Sequence, residues 1–270
     1  MRRDASPATM RLLSYNIHKG IGGRDRRYDL DRIIAVISHE RPDLICLQEV
    51  ADGIPRAGGG DQVAAFSGAF PDYHPVSQTN HRFRVGSYGN LLLARWKVER
   101  SHDVCLRYLN RKKRGAQLVV VSTPTGPLHL INWHLGLHES TRQWQASYLL
   151  EHHCYRESCH LPTVIVGDFN DWRNTLARGP FARHGLRQVT EPLQRFRSFP
   201  AYLAMSSLDK IFCCPQVEVE QAHVVRSRLA RDASDHLPLV LDFRMKHRAS
   251  RVEGTSQVEP GHKHQEARHA

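Results

Sequence analysis

The chain has 270 residues, 40% of them hydrophobic, enough to bury a substantial core without disulfide or metal staples. Against 27 Asp and Glu stand 38 Lys and Arg, a formal charge of +11, and only seven of those cations are Lys; the Arg-rich remainder favours a phosphorylated or polyanionic partner. The six cysteines show no C-x-x-C pairing, no run approaches the roughly 18 apolar residues of a membrane span, and residues 1–10 carry no apolar leader, so the chain reads as a cytoplasmic protein without a disulfide framework, zinc module or integral membrane segment.

Residues 1–9 are polar and read as a flexible start, 10–246 as one domain, and 247–270 as a disordered, His-rich polar tail. Within the domain, Arg11 to Ile17 reads as a strand that ends at Asn16, before the polar His18-Lys19-Gly20. Gly20, Gly22 and Gly23 with Arg24, Arg26 and Arg27 form a basic loop, best read as a solvated surface. Asp29 can cap a helix running to about Glu40, with Leu30, Ile33, Ile34 and Ile37 on one face and Pro42 as its stop. Asp43 to Glu49 is then a buried strand finishing in an acid, followed by a Gly-rich loop over 51–61.

A helix around 61–70 and a strand over Gly89–Arg95 come next. Arg111-Lys112-Lys113-Arg114 reads as a charged turn leading into a hairpin, 117–121 and 128–133, closed at Pro124 to Pro127. A helix from about Glu139 to Glu157 precedes the strand Thr163–Asp168. Later strands are expected at 208–212, 217–225 and 234–240, the last holding Asp235 and His236.

The most informative stretch is Val164-Ile165-Val166-Gly167-Asp168-Phe169-Asn170-Asp171-Trp172. A strand buried on both faces ends at a glycine, and two carboxylates and an amide follow at once. Two readings are open for this segment: an Asx-type turn capping what comes next, or a polar site whose acids need a charge or a metal to be tolerated. The rest of the chain favours the second. Asn16, Glu49, His134, Asp168, Asn170, Asp209, Asp235 and His236 all fall at strand ends, so residues distant in sequence can converge. An oxygen-rich set of Glu49, Asp168, Asp235 and two amides suits a hard cation such as Mg²⁺, and histidines beside it offer proton transfer near neutral pH. These are the parts needed for metal-assisted attack of water on a phosphate ester. With no counter-charge in view, Glu49 is expected to burden stability unless the ion is bound.

In order along the chain, Ser14-Tyr15-Asn16-Ile17, Leu47-Gln48-Glu49, Asn132-Trp133-His134-Leu135, Gly167-Asp168-Phe169-Asn170, Leu208-Asp209-Lys210-Ile211 and Ser234-Asp235-His236 resemble the motifs of the endonuclease/exonuclease/phosphatase superfamily, the deoxyribonuclease I-like proteins, over about 11–244. The resemblance implies an α/β fold: a four-layer sandwich of two central mixed β-sheets flanked by helices, with the site at one edge. By motif position it implies that Glu49, Asn16 and Asp235 hold Mg²⁺, with Mn²⁺ as a substitute. Asp168 orients or deprotonates water, Asn170 holds a phosphate oxygen, and His236, steadied by Asp209, stabilises the pentacoordinate phosphorus. His134 contacts the phosphate or the leaving oxygen, and Arg114 is the phosphate-binding arginine. The implied activity is phosphodiester hydrolysis, with a nuclease acting on nucleic acid as the leading reading.

Departures bear on the substrate. Asn16-Ile17-His18-Lys19-Gly20 lacks the Asn-x-Asn-Gly-x-Arg of abasic-site endonucleases, and no Trp-Cys-Asp-Arg segment of inositol polyphosphate phosphatases is present. Asn90 stands where deoxyribonuclease I-like members place an acid behind the equivalent of His134, which implies a weaker acid–base group here. The resemblance is greatest to small stand-alone bacterial members. A phospholipid or other small phosphodiester or phosphomonoester hydrolase is the alternative, and a non-catalytic nucleic-acid-binding descendant is disfavoured because each chemical position holds a competent side chain.

Overall fold

Strands that are apolar on both faces need a layer on each side, and two sheets packed face to face supply it. The structure, a computed structural model, describes residues 9–246. The tail expected over 247–270, and residues 1–8 of the expected flexible start, lie outside the described residues. In chain order the elements are β1 (Met10–Asn16), α1 (Leu30–Glu40), β2 (Leu44–Asp52), α2 (Gln62–Ala69), β3 (His74–Arg82), β4 (Ser87–Ala94), β5 (Val98–Cys105), β6 (Gly115–Thr123), β7 (Gly126–His134), α3 (Glu139–Glu151), α4 (His153–Ser158), β8 (Thr163–Asp168), α5 (Pro180–Arg183), β9 (Arg187–Gln188), β10 (Asp209–Cys213), β11 (Val217–Val224), α6 (Arg228–Ala233) and β12 (Leu239–Met245).

The sheets have six strands each, in the orders β11-β12-β1-β2-β4-β3 and β5-β6-β7-β8-β10-β9. With helices outside them they form the four-layer α/β sandwich that the motifs imply. Each sheet has one parallel pair, β1 with β2 and β7 with β8, and antiparallel neighbours elsewhere. This topology explains why distant residues meet. The parallel strands finish at one edge, while β12 and β10, antiparallel to β1 and β8, begin at that edge. Register then sets His134 opposite Asp168 and Asp168 opposite Asp209.

Three buried amides join the two sheets through the core. Gln48 Nε2 donates to Asn132 Oδ1 (2.8 Å), and Asn132 Nδ2 donates to Gln117 Oε1 (2.9 Å) and to the Leu47 carbonyl (3.1 Å). A satisfied polar network inside an apolar core fixes how the sheets sit on each other, and so fixes the relative placement of Glu49 and His134, each one or two residues beyond a network member.

Several boundaries differ from expectation, for identifiable reasons. The helix expected over 139–157 breaks at His152, whose backbone is extended (φ −65°, ψ 142°) and whose ring caps α4 by accepting from Cys154 N. β2 does not stop at Glu49 but continues to Asp52 through a bulge. The last strand begins at Leu239, leaving Asp235 and His236 in the loop before it. Strands β3 and β5 gave no sequence signal because both lie at sheet edges, where polar side chains replace the apolar alternation. Among the described residues no helix is long and apolar enough to cross a membrane.

Candidate active site

Glu49 reaches the site by a backbone irregularity. Gln48 pairs with Asn90 and Val50 with Gly89, so Glu49 is the extra residue of a β-bulge, with φ of 59°. A bulge re-aims one side chain out of the ladder, and here the carboxylate turns to meet the ammonium of Lys19. Lys19 is 5% exposed and also has positive φ (63°). Gln62 pins its loop, donating to the Lys19 carbonyl (2.8 Å) and accepting from Ala51 N (2.8 Å). The Lys19 ammonium also lies 4.9 Å from the Tyr88 ring centre. Glu49 is therefore not the uncompensated acid expected from the sequence: burial opposes its charge, but Lys19 holds its pKa well below the usual carboxylate range. Lys19 is the site residue that sequence reasoning missed, because a lysine in a Gly-rich basic loop looks like solvated surface. The burial of a cation beside a strand-borne acid became visible only in three dimensions.

A compact cluster forms on the second sheet. Among the described residues, ligand-type atoms of Asp168, Asp209 and His236 lie within 4.8 Å of one another, and all three residues are buried. His236 Nδ1 donates to Asp209 Oδ2 (2.8 Å), which also accepts from Ser198 Oγ (2.5 Å). Its other nitrogen, Nε2, faces Asp168 Oδ2 at 3.8 Å. Burial alone would lower the His236 pKa, yet the two carboxylates raise it, so the ring is an imidazolium at neutral pH. The Asp168 pKa is raised as well, to about 6: burial raises it, with His236 opposing the rise and Asp209 adding to it. Asn170 N donates to Asp168 Oδ1 (2.9 Å), and Asn16 Nδ2 donates to Oδ2 (3.0 Å).

His134 sits between the two halves. Arg114 Nη1 can only donate, so His134 Nδ1 accepts from it (3.2 Å) and the ring proton belongs on Nε2, which faces Asp168 Oδ2 at 3.3 Å. Burial and then the Arg114 charge push the His134 pKa well below its ordinary value. The two histidines thus differ in charge, one neutral and one cationic. Glu49 Oε1 lies 3.9 Å from His134 Nδ1. Arg114 is 6% exposed, unlike the solvated turn expected for its charge run, whereas Arg111, Lys112 and Lys113 are exposed. Asn90 does not support His134; its amide donates to Gln78 Oε1 (3.1 Å) and the Gly115 carbonyl (3.2 Å).

The first-sheet loops complete the edge. His18 N donates to Asn16 Oδ1 (3.1 Å), and His18 Nδ1 lies 3.8 Å from Asp235 Oδ1. Gly23 packs so closely that a Cβ there would stand 2.6 Å from Asp235 Cα, which accounts for glycine in this loop. Its neighbours Arg24, Arg26 and Arg27 are exposed, as the solvated reading expects. Asn170, at φ 50°, donates from Nδ2 to the Leu135 carbonyl (3.1 Å).

The expected metal set of Asn16, Glu49 and Asp235 lies at this same edge, but no hydrogen bond or ion pair among the described residues joins Glu49 to Asp235. The donor chemistry fits a hard divalent cation. Asp235 Oδ1 and Asp209 Oδ1 are buried without a hydrogen-bond partner, and the groups around them offer carboxylate oxygens and imidazoles.

The geometry above joins, at one strand edge, all six motifs noted in the sequence. The model of the Endonuclease/Exonuclease/phosphatase family matches residues 13–236. The chain belongs to this family. It is 27% identical over 253 residues to the uncharacterized protein YbhP of Escherichia coli, covering 88% of this chain and 97% of that one. Among solved structures it is similar to the endonuclease/exonuclease/phosphatase from Beutenbergia cavernae (TM-score 0.73, 24% identity, 88% of this chain and 72% of that one). It also shares the fold of the Bacteroides thetaiotaomicron mannosyl-6-phosphatase (TM-score 0.68, 18% identity, 87% and 99% covered) and of D. rerio TDP2 complexed with single strand DNA product (TM-score 0.66, 17% identity, 88% and 100% covered). Membership places the chain among phosphoesterase-type hydrolases.

Proposed function

We propose that residues 10–246 form one catalytic unit, a Mg²⁺-dependent phosphodiester hydrolase acting on nucleic acid, with Mn²⁺ as a substitute ion. The observation that carries this reading is the Asp168–His236–Asp209 cluster set beside Arg114, His134 and Glu49. Glu49, Asp235 and Asn16 would hold the cation, which when bound would polarise the phosphoryl oxygens and offset their charge. Asp168, with its pKa raised by burial, accepts a proton from the attacking water near neutral pH. His236, held in one orientation by Asp209, presents an imidazolium to charge developing on the phosphorus; Arg114 and Asn170 bind its oxygens. Neutral His134 offers its Nε2 proton to the phosphate or the leaving oxygen. Opposite environments thus give two histidines separate roles.

A nucleic-acid substrate is supported by the +11 charge and by an aromatic path out of the site. Phe199 packs on the His236 ring (4.9 Å between centres) and meets Trp172 edge-on (6.0 Å), and Trp172 is 53% exposed, a flat apolar face on which a base can stack. The fold relative TDP2 of D. rerio is complexed with single strand DNA product, which is consistent with this reading. A second reading, a phosphomonoester hydrolase, is favoured by Lys19 and Arg114 both acting on the single carboxylate of Glu49, a surplus of positive charge that suits a dianionic phosphate. A cytoplasmic location is supported by six free cysteines, two of them exposed.

The deciding experiment is hydrolysis of single-stranded and duplex DNA, RNA, phospholipid, bis(p-nitrophenyl) phosphate and p-nitrophenyl phosphate, with Mg²⁺, Mn²⁺ or EDTA. Metal-dependent cleavage of the nucleic acids, steeply weakened by salt, is the expected result. Undiminished turnover in EDTA contradicts the site as assigned; turnover of monoesters alone moves the assignment to the second reading.

A further inference from the structure

Beside the catalytic edge lies a cavity of about 230 Å³, lined by Arg111, Lys112, Arg114, Leu137, His138 and Thr141 together with Gly136. No carboxylate lines it. Three features set it apart from a plain cationic surface. The first is the start of α3, a helix of 13 residues whose cap residue, His138, makes no side-chain capping hydrogen bond. The N–H groups of a first turn point outward and favour negative charge. Glu139, the acid of that turn, leans toward Arg173 at 3.7 Å, on a residue outside the cavity lining.

The second feature is Arg114. It lines the cavity, its Nη1 donates to His134 in the catalytic cluster, and its Nε is buried with no partner. A buried, unpartnered N–H is costly in a dry setting and is relieved by an acceptor. The third is a pair of exposed cations in the lining, Arg111 and Lys112. Arg111 Nη1 lies 3.3 Å from His138 Nε2, and the Lys112 ammonium lies 5.0 Å from the centre of the Tyr88 ring, the same ring that Lys19 approaches. Neither Arg111 nor Lys112 has a carboxylate partner among the described residues.

We propose that this cavity is a second anion subsite, taking a phosphate group that flanks the one cleaved, so that the preferred substrate carries at least two phosphates. The assignment of a cleaved phosphate beside it rests on the function proposed above; the subsite itself rests on the cavity. Its source is either the next phosphate of a polynucleotide strand or a second phosphate on a small molecule, and both present the same oxygens.

Two measurements test it on the full chain. Inorganic phosphate is titrated, without divalent metal, into the parent and into Arg111→Gln/Lys112→Gln, both exposed positions whose change should leave the melting temperature in place. Loss of two charge-assisted contacts should weaken phosphate binding by about tenfold or more. Equal binding to the two proteins, or none to either, overturns the subsite. In parallel, kcat/KM is compared for a p-nitrophenyl deoxynucleotide diester with and without a second phosphate on the sugar. The added phosphate should raise kcat/KM in the parent, chiefly through KM, and the gain should vanish in the double variant while the singly phosphorylated ester is unaffected. No gain in the parent, or an equal gain in both proteins, also overturns it. If neither ester is cleaved, the proposed hydrolase reading fails, and the phosphate titration still decides the subsite. A larger gain with an oligonucleotide than with the phosphorylated mononucleotide identifies a strand as the source.

Discussion

Asp168 ends β8, Asp171 comes three positions later, and the two are almost equally hidden, at 2% and 0% exposure. Asp171 spends its oxygens on the turn that follows and on one arginine: Oδ1 accepts from Thr175 N (3.1 Å) and Thr175 Oγ1 (3.3 Å), Oδ2 accepts from Leu176 N (3.0 Å), and Arg142 Nη2 lies 3.7 Å from Oδ1. It is the Asx-type turn residue, and the bland reading of this segment is right for it. Asp168 has one backbone bond, to Asn170 N, and otherwise faces side chains: Asn16, His134 and His236. Equal burial therefore says little about the role of an acid. What separates the two is whether the lone pairs face fixed N–H groups or groups that themselves titrate.

Exchanging each acid for its amide is the severest way to break this comparison. Asp168→Asn should reduce kcat/KM on the order of a thousandfold, since it removes the proposed proton acceptor, with the melting temperature little changed. Asp171→Asn should lower stability by about 1–3 kcal/mol, because one turn N–H then meets an amide NH₂, while turnover per folded molecule stays within a few-fold. The pairing of steady-state kinetics with thermal melts checks both at once, and an exchange of the two phenotypes would erase the distinction.

Glu49 sharpens it from the other side, since its carboxylate has a cationic partner. Glu49→Gln should abolish most of the Mg²⁺-induced rise in melting temperature and lower activity by about a hundredfold. It should also destabilise the metal-free protein, because the buried Lys19 ammonium loses its counter-charge. Adding Lys19→Met to Glu49→Gln should restore the metal-free stability without restoring the metal response. If the single variant is as stable as the parent, the Lys19–Glu49 pair contributes nothing to the fold.

The smallest effect on turnover belongs to a buried histidine outside the site. His129 is packed beside Thr163 (3.4 Å) with Nε2 unpartnered, and burial lowers its pKa to about 3. Between its unfolded value near 6.5 and the folded value, only the unfolded chain takes up the proton. Its contribution is present above about pH 6.5 and is lost as pH falls toward about 3, at up to about 1.4 kcal/mol per pH unit. Urea melts from pH 7 to 4 should show a shallower decline for His129→Phe than for the parent; parallel declines would remove His129 from the acid sensitivity.

The strand-end positions were legible because buried parallel strands read as continuous apolar runs, and a polar residue at the end of such a run is conspicuous. Asn16, His134, Asp168, Asp209 and His236 stand out in this way in the sequence alone; the register sets Asp168 opposite Asp209, and the loop before β12 brings His236 to them. The bulge at Glu49 was hidden, since the sequence continues Glu49-Val50-Ala51 with nothing to mark an extra residue. Lys19 and the burial of Arg114 were hidden for another reason. Both lie in basic loops whose composition matches solvent-exposed turns, and only the packing of Gln62 and Tyr88 around Lys19, and of His134 against Arg114, separates them from their exposed neighbours.

The central claim is that Asp209 acts through His236 at a phosphoryl-transfer site, and a double-mutant cycle tests it most directly. With kcat/KM measured on a cleaved phosphodiester for His236→Ala, Asp209→Ala and the pair, each single change should cost about a hundredfold or more, chiefly in kcat. Because Asp209 Oδ2 holds His236 Nδ1 at 2.8 Å, adding Asp209→Ala to His236→Ala should then cost less than about threefold. Losses that multiply would mean that the two residues act independently, contradicting the account.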